Sequence, residues 1–588
     1  ALGKQMLEKR RYTDAALAYS AFVDSHPTHP QAPAFQVRVI SAYSDGGFGD
    51  QVAKEKERYA LSYEPSAPYW AGRTPTPEVM TELRKDLEDL GRYTHAKAQR
   101  DPATDPNAKR ADFVAAAGWY NKILTIYPQD PQAPEINLLY ADALYDGGQT
   151  HDAAVQYDKT AYAYPNNPKA PEAAYASIQA WQRLGHEVPP DQRPDVLKQS
   201  VAASIKYADS FQAAPQVAPV LTRAAEDEFE IKDLDTAIAL STRVLSLNGA
   251  NAATPDLRTQ ALGVLADSRF AQNNYPEAEK AYTQLLASTP PNDPKHKVVV
   301  EQLAASIYKQ GDAARSAGDL KTAATLFQRV GQVTPDASIR PGADYDAASA
   351  YYSLQDWPAA EQMLEGFRAR FPTNTLVADA DKKLATAYEK DNKPAQAAAV
   401  YQRIAQRPSE NPDTRRESAW LAATLYDRAG APQQTAGAYE SYVKAYPQPL
   451  DRATQARTRL AELSAANPTQ HTYWLNQMIA ADSMAGAARS DDSKLAAAKA
   501  SLELARGAAQ QARLIPITLP IAKTLPVRKK ATEAAVDALN RAAAYGIADT
   551  TTAATYEIGN VYRDFSRALL NSERPPKLKA DELEQYNL

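Results

Sequence analysis

Paired histidines and closely spaced glycines are the first residues in this sequence whose types and spacing could do chemistry. His26 and His29, in SHPTHP, are near enough in sequence to share a metal ion, but a proline-rich turn without further ligands is more typical of a solvated linker. The glycines of DGGFGD (45–50) resemble a phosphate-binding loop. DGG recurs at 146–148, again after a helical pattern, so we interpret both stretches as turns that end helices.

Motifs for catalysis are missing from the rest of the sequence. It contains no Walker loop, no Gly-x-Ser-x-Gly and no His-Glu-x-x-His, and its seven histidines are scattered. The chain has no cysteine, which excludes disulfides and thiolate metal sites. We therefore predict a protein without catalytic residues, bound metal or cofactor.

A basic strip near the C-terminus is a candidate contact surface. From Arg489 to Lys530 there are nine basic and three acidic residues, a local charge of +6, whereas the whole chain carries −5. Such a contrast attracts an acidic partner, a second copy of the chain or anionic lipid headgroups. A solvated helix face is the alternative interpretation. The candidate contact residues are Arg513, Lys523, Arg528, Lys529 and Lys530.

Length and composition describe a folded protein with more than one core. At 588 residues the chain exceeds the size at which a single core keeps growing, and its 44% apolar and 23% charged residues are ordinary values for folded proteins. Its small negative charge gives no overall attraction to nucleic acid. No apolar run is long enough to cross a bilayer as a helix. Both ends interrupt helical patterns, which leaves room for a signal peptide or lipid anchor upstream.

One helical pattern recurs along the first 450 residues. Its template is Ala-x3-aromatic-x2-apolar-x4-Pro, which places three residues on one helix face and ends the helix at Pro. The copies begin at Ala15, Ala53, Ala116, Ala153, Ala203, Ala237, Ala278, Ala323, Ala360, Ala397 and Thr435. A small residue stands twelve positions before nearly every copy, where it would let another helix approach closely. These positions hold Gly3, Ser41, Ala141, Asp191, Ala225, Ala266, Gly311, Ala348, Ala385 and Ala423, of which Asp191 fits poorly.

Tyrosine often fills the aromatic position of this template. The chain has 33 tyrosines and 11 phenylalanines. We expect each ring to be buried at a packing position while its hydroxyl stays in water. The tyrosines in question are Tyr120, Tyr157, Tyr282, Tyr401 and Tyr439.

The pattern of helix, Gly turn, helix and Pro turn resembles the tetratricopeptide repeat. The resemblance covers about residues 1–450 and implies an all-α solenoid of about eleven helical hairpins. Linkers such as YPQDPQAPE and YPNNPKAPE are similar to those of Gram-negative envelope lipoproteins of the β-barrel assembly and Tol-Pal systems. The C-terminal NVYRDFSRALLNSERPPKLKADELEQYNL resembles the ends of envelope repeat proteins of gliding-motility and Tol/Exb-type complexes.

The resemblance also implies a binding face. In this family, residues one and four positions after the small residue line the concave side of the solenoid. Here these positions combine acids with aromatics, which suits capture of a peptide or helix, while ordinary helix surface is the alternative. The candidate residues are Asp142, Tyr145, Asp267, Phe270, Asp312, Tyr352, Glu389 and Asp427.

The predicted regions are two N-terminal hairpins in 1–65, an inserted charged helix with a Pro-rich linker in 66–100, the main solenoid in 101–450, and a non-repeat helical module in 451–588. Within that module, the prolines of LIPITLPIAKTLPVRKK (514–530) predict an extended chain. We expect its apolar side chains to pack on helices and the Arg/Lys cluster after Pro526 to point outward.

Together these patterns predict a non-enzymatic protein–protein interaction scaffold in a Gram-negative envelope. The expected place is the periplasm, with outer-membrane association through a segment outside this chain, in a trans-envelope complex of motility or Tol/Exb type. Expected partners are other envelope proteins, with peripheral membrane contact and self-association as further expectations and no nucleic acid. A cytoplasmic adaptor or co-chaperone is the alternative, although such proteins usually hold acidic peptides in a Lys/Arg groove, and the predicted groove is richer in acids.

Overall fold

The computed structural model describes residues 1–100 and 105–588, and every regular element within them is a helix. The helices pack mainly against their neighbours in sequence. The first twenty-two form eleven hairpins: α1 (Leu2–Glu8) and α2 (Tyr12–Ser25), α3 (Ala32–Asp45) and α4 (Gly49–Tyr63), α5 (Pro77–Arg100) and α6 (Pro106–Ile126), α7 (Ala133–Asp146) and α8 (Thr150–Tyr162), α9 (Ala170–Glu187) and α10 (Arg193–Ser210), α11 (Val217–Glu230) and α12 (Leu234–Ser246), α13 (Pro255–Ala271) and α14 (Tyr275–Ser288), α15 (His296–Ser316) and α16 (Leu320–Val333), α17 (Arg340–Ser353) and α18 (Trp357–Arg370), α19 (Val377–Lys390) and α20 (Pro394–Gln406), and α21 (Pro412–Arg428) and α22 (Pro432–Ala445).

Helix packing continues after the eleventh hairpin. The later helices are α23 (Leu450–Leu463), α24 (Pro468–Ser483), α25 (Asp491–Leu514), α26 (Ile521–Ala543), α27 (Ala548–Leu570) and α28 (Ala580–Asn587). From α23 to α27, each helix packs on the next one. Short 3₁₀ helices lie in three connections, at Pro68–Trp70, Gly249–Asn251 and Gly486–Ala488.

All eleven copies of the template lie in the second helix of a hairpin, so the predicted hairpins are confirmed. The turns between the two helices also behave as predicted. Gly47 and Gly148 have φ angles of +74° and +79°, the left-handed conformation in which a residue with a Cβ is strained. Asn273 and Asn392 take the same conformation in two turns that have no glycine.

Small residues in the first helices mark where a hairpin is most tightly packed. A Cβ on Gly311 would lie 2.8 Å from the ring of Phe327, so only glycine fits there. Eight of the ten predicted small residues are buried in first helices. The predicted register is wrong at the other two. Ser41 is exposed on α3, and Asp191 lies in the turn between α9 and α10, because α10 begins ten residues before Ala203 and a position twelve residues before Ala203 therefore falls outside α9.

The chain divides into two compact units, residues 1–307 and 308–588, and the division falls within α15. In the first unit, one apolar core extends from α3 to α13 and includes the buried rings of Tyr59, Tyr63 and Tyr120. In the second unit, three apolar clusters follow one another, from α16 to α20, from α20 to α25 and from α25 to α27. The region boundaries predicted at residues 65, 100 and 450 stay predictions.

The charged helix of the predicted 66–100 insertion is α5, and it packs on both α4 and α6. With α6 it forms the third hairpin. Gly91 is the small residue of this hairpin, since a Cβ there would lie 2.6 Å from the ring of Tyr120. The template overlooked Gly91 because α5 and α6 are 24 and 21 residues long, so that Gly91 stands well before the end of α5 and Ala116 well after the start of α6.

Residues 514–530 are not extended, contrary to the prediction from their prolines. Only 515–520 lie outside helices; α26 begins directly after Pro520 and continues through Pro526. So close to the helix start, Pro526 removes a single backbone hydrogen bond, the one to the carbonyl of Ala522. Both residues are exposed, so water can bind that carbonyl. Of the five apolar side chains that alternate along the predicted extended chain, Ile517 is buried, and the other four are half-buried: Ile515, Leu519, Ile521 and Leu525.

Candidate partner-binding surfaces

Two of the predicted carboxylates accept hydrogen bonds from a tyrosine of the same hairpin. The Tyr157 hydroxyl donates to Asp142 Oδ1 at 2.7 Å, and the Tyr282 hydroxyl donates to Asp267 Oδ1 at 2.5 Å. In both pairs the residues stand fifteen positions apart. The expectation that these hydroxyls stay in water is therefore wrong, because a half-buried carboxylate takes the place of water.

For two further predicted carboxylates, the residue at the template aromatic position decides which hydrogen bond the carboxylate accepts. In the hairpin of α19 and α20, the Tyr401 hydroxyl donates to Glu389 Oε1 at 2.6 Å. In the hairpin of α15 and α16 that position holds Phe327, which has no hydroxyl. Asp312 instead accepts a hydrogen bond from Arg315 on its own helix. In these four hairpins, the carboxylate one or four positions after the small residue is thus already engaged within its own hairpin.

The remaining predicted residues also have neighbours within the protein. Asp427 on α21 accepts from Nε and Nη2 of Arg459 on α23, each at 3.0 Å. The guanidinium of Arg183 lies 4.5 Å from the ring centroid of Tyr145. The other two aromatics pack edge-on against a ring at the start of the following helix: Phe270 against Tyr275 and Tyr352 against Trp357. The predicted residues therefore lie in separate hairpins and do not form one site.

A cavity of about 430 Å³ lies between the first helices α5 and α7. We call the exposed side of the first helices the first-helix face, and this cavity opens on it. Two tyrosines of the second helices, Tyr120 and Tyr157, contribute to its lining. The other lining residues are Arg92, His95, Ala96 and Gln99 of α5 and Leu139, Asp142 and Asp146 of α7. Only Asp142 among them was predicted.

His95 gives this cavity an unused polar group. The residue is 6% exposed, and its Nε2 is buried without a hydrogen-bond partner. Burial lowers the pKa of His95, although the carboxylates of Asp142 and Asp146 act in the opposite direction. Burial also raises the pKa of Asp142, against the hydrogen bond from Tyr157. A neutral imidazole offers one donor and one acceptor, so this lining can bind a polar group that enters the cavity.

The sequence did contain a signal for this cavity. Arg92 and His95 follow Gly91 by one and four positions, which is the register that located the other candidates. They were missed because Gly91 does not stand twelve positions before Ala116.

Three stretches of the chain, 223–295, 263–337 and 345–412, match the family model of the tetratricopeptide repeat. These stretches are tetratricopeptide repeats. With the helix order of the described residues, they confirm the predicted fold class, an all-α solenoid of tetratricopeptide-like hairpins followed by further helices.

Similar solved structures include Naa15/Naa10 bound to HypK, at 11% identity, 96% coverage of this chain, 79% of that chain and a TM-score of 0.29. A tetratricopeptide repeat protein from Parabacteroides merdae has 12% identity and a TM-score of 0.20, and the match covers 47% of this chain and 98% of that chain. Yeast Tom70 has 13% identity and a TM-score of 0.19, and the match covers 89% of this chain and 97% of that chain. No curated protein sequence matches the chain.

Acidic residues on other helices form ion pairs with three of the four arginines in the predicted basic strip. Arg513 Nε lies 2.7 Å from Asp564 Oδ2, and its Nη2 lies 3.5 Å from Glu557 Oε2, both on α27. Arg489 Nη2 lies 2.6 Å from Asp482 Oδ2 on α24. A charge count along the sequence could not include these acids, because they lie outside the strip and reach it only through packing.

Arg528 does not point outward, contrary to the prediction. It is 3% exposed, and its Nη1 donates to the carbonyl of Ile515 at 2.8 Å. Burial lowers the pKa of this guanidinium. Of the five candidate contact residues, Lys523, Lys529 and Lys530 on α26 remain exposed, and Lys529 Nζ lies 3.8 Å from Glu533 Oε1 on the same helix.

His26 and His29 have neighbours within their own turn. The Nδ1 of His26 lies 2.9 Å from Ser25 Oγ, and the Nδ1 of His29 accepts the backbone N–H of Gln31 at 3.1 Å. Across residues 1–100 and 105–588, no three metal-ligating side chains come together. Within the same residues, no helix has both the length and the apolar character needed to cross a membrane.

Proposed function

We propose that this protein is a non-enzymatic scaffold of the bacterial cell envelope, a periplasmic member of a multiprotein trans-envelope complex of motility or Tol/Exb type. A tetratricopeptide array is a protein–protein interaction scaffold, since stacked hairpins present a long surface and no reaction centre. The envelope assignment is supported by the aromatic-Pro and Ala-Pro linkers, which are similar to those of Gram-negative envelope lipoproteins. In this role the first-helix face binds segments of partner proteins.

The observation that carries the binding role is the cavity between α5 and α7. It offers carboxylates, a guanidinium and the unpartnered His95 Nε2 beside two tyrosine rings. Such a lining can hold a polypeptide segment through its backbone amides and polar side chains. Arg92 is itself held by Glu88 and Glu135, each at 2.8 Å, so this side of the cavity is ordered before a partner arrives.

Site-specific photocrosslinking in living cells tests both parts of this proposal. A benzophenone amino acid replaces Gln99, an exposed residue of the cavity lining, in the full-length protein made from its native gene. The matched control places the same group at Lys159, an exposed residue of α8 outside the lining. We expect covalent adducts at position 99 whose mass spectra identify envelope proteins, and none of these adducts at 159.

Two results would oppose the proposal in different ways. Equal adducts at both positions would remove the binding role from this cavity. Adducts at position 99 that consist of cytosolic proteins, together with recovery of the full-length protein in the cytosolic fraction, would favour the alternative of a cytoplasmic adaptor or co-chaperone.

A further inference from the structure

Arg457, on α23, is a buried arginine without a counter-charge. It is 8% exposed, and its Nη1 is buried with no hydrogen-bond partner. No carboxylate in the described part of the chain forms an ion pair with it. Burial lowers the pKa of this guanidinium, and the Tyr473 phenol is the only neighbour that acts against that effect. A buried guanidinium without a partner is unfavourable, because the protein replaces neither its hydration nor its counter-ion.

Among the buried lysines and arginines in the described part of the chain, Arg457 is unusual because the other two, Lys56 and Arg528, have a partner. Lys56, also 8% exposed, lies 3.0 Å from Asp86 Oδ1 and is hydrogen-bonded to Asp89. Buried Arg528 also lacks an ion pair, but it donates to a backbone carbonyl, which accepts one of its hydrogen bonds. Arg457 has neither kind of partner.

Arg457 lines a cavity of about 440 Å³. The other walls come from α22 and α24, so this cavity is separate from the one between α5 and α7. Its lining comprises Glu440, Val443 and Lys444 of α22, Arg457, and Gln470, Tyr473, Trp474 and Gln477 of α24.

The chemistry of this lining favours an oxyanion. Lys444 adds a second cation, and the amides of Gln470 and Gln477 add neutral donors. The single acid, Glu440, is exposed and is not paired with Arg457. Trp474 and half-exposed Tyr473, whose ring centroids are 4.8 Å apart, supply apolar surface for the carbon atoms attached to the anion.

We propose that this cavity binds a carboxylate of a partner polypeptide, which forms the ion pair that Arg457 lacks within its own chain. The planar fork of guanidinium donors matches the two oxygens of a carboxylate. The volume accommodates one or two residues around that carboxylate, which is more than a free ion requires. The carboxylate comes from an Asp or Glu side chain or from a chain terminus, and the probes below separate these sources.

The test uses the 588-residue chain and four small probes at constant ionic strength. N-acetyl-leucyl-glutamine offers only a terminal carboxylate, N-acetyl-leucyl-glutamic acid α-amide only a side-chain carboxylate, and N-acetyl-leucyl-glutaminamide none. Inorganic phosphate is the fourth. Calorimetry and the shift in melting temperature measure binding. We expect at least one carboxylate probe to bind, the neutral probe not to bind, and phosphate to bind more weakly than the better carboxylate.

Three variants assign the binding to the cavity. Arg457→Met should weaken carboxylate binding by about 10- to 100-fold, as expected for loss of a charge-assisted pair. Lys444→Met changes an exposed residue and should weaken binding by about threefold without affecting folding. Arg528→Met removes the other buried arginine without an ion pair and should leave binding unchanged.

Three outcomes would overturn the proposal: no carboxylate probe binds the wild-type chain, phosphate binds more tightly than both, or carboxylate binding is equally strong in Arg457→Met. If Arg457→Met does not fold, unchanged binding in Lys444→Met overturns it, because that lysine borders the same cavity.

Discussion

Two buried carboxylates, Asp381 and Asp227, differ in how far arginines compensate their charge. Asp381, 1% exposed on α19, lies 2.7 Å from Arg368 Nε and 3.5 Å from Arg403 Nη2. Asp227 on α11 is equally buried, but only Arg223 of its own helix reaches it, at 3.0 Å. Burial outweighs that arginine and raises the pKa of Asp227 to about 6.

The pH dependence of stability should therefore change when Asp227 becomes Asn. Since the folded-state pKa of Asp227 is raised, the folded protein keeps a proton that the unfolded chain releases. The resulting stability is fully present below about pH 4 and is lost as the pH rises through about 6. Asn cannot ionise, so Asp227→Asn should lose less stability than wild type between pH 4 and 7, with a difference of up to about 3 kcal/mol.

Melting temperatures between pH 4 and 8 measure this difference. Asp195→Asn, at an exposed position of α10, is the control and should follow the wild-type curve. If the melting temperature of Asp227→Asn changes with pH as steeply as that of the wild type, the Asp227 carboxyl does not titrate above its usual range.

At the scale of the helices, a glycine at the contact allows the two helices of a hairpin to pack closely. Gly91 and Gly118 lie on the two helices of the same hairpin, α5 and α6, but their surroundings differ. A Cβ on Gly91 would lie 2.6 Å from the fully buried Tyr120 ring, whereas a Cβ on Gly118 would have no neighbour within 4 Å.

Alanine should therefore have opposite effects at these two positions. Gly91→Ala forces the α5–α6 contact apart and should destabilise the protein by about 1–3 kcal/mol. Gly118→Ala only restricts the unfolded chain and improves helix propensity, so it should stabilise by about 0.5–1 kcal/mol. Urea denaturation of both variants decides the matter, and a gain in stability for Gly91→Ala would contradict the assigned hairpin.

The helical state of residues 521–530 predicts the effect of replacing Pro526. In a helix, Pro526→Ala restores the N–H that bonds to the carbonyl of Ala522 and should stabilise by about 1–3 kcal/mol. Pro516→Ala, outside the helices, is the matched control and should give no such gain. Equal melting temperatures for the two variants would favour the extended chain that the prolines predict.

At the scale of the molecule, packing is almost entirely between helices near one another in sequence. Each hairpin therefore stabilises mainly its neighbours, and stability is expected to be local, as in other repeat proteins. The two units, with their own apolar clusters, should respond separately to damage.

Hydrogen exchange after a core substitution in each unit tests this independence. Leu87→Ala in the first unit and Phe367→Ala in the second each remove a fully buried side chain and should cost about 2–5 kcal/mol locally. We expect faster exchange in the hairpins around the substitution and wild-type exchange in the other unit. Faster exchange throughout the chain after either substitution would indicate one cooperative unit.

The sequence by itself determined the eleven second helices and the fold class. Their signal is local: an apolar stripe at positions i, i+4 and i+7 and a closing proline need no information from distant residues. The same holds for the glycine turns, since the left-handed conformation is a property of single residues. Where the helices of a hairpin are longer than the template spacing allows, as in the hairpins of Ala116 and Ala203, the local signal no longer gives the register.

The charged and polar contacts were decided only by the tertiary structure. Asp142 and Tyr157 both stood in predicted positions, yet only packing shows that one hydrogen-bonds the other. Arg513 seemed free because Glu557 and Asp564 are far away in sequence, and Arg457 drew no attention because its lack of a partner is visible only once the surrounding helices are in place. The reason is physical: Coulomb interactions and hydrogen bonds depend on distance in space, which hairpin packing sets, whereas helix formation depends on neighbours along the chain.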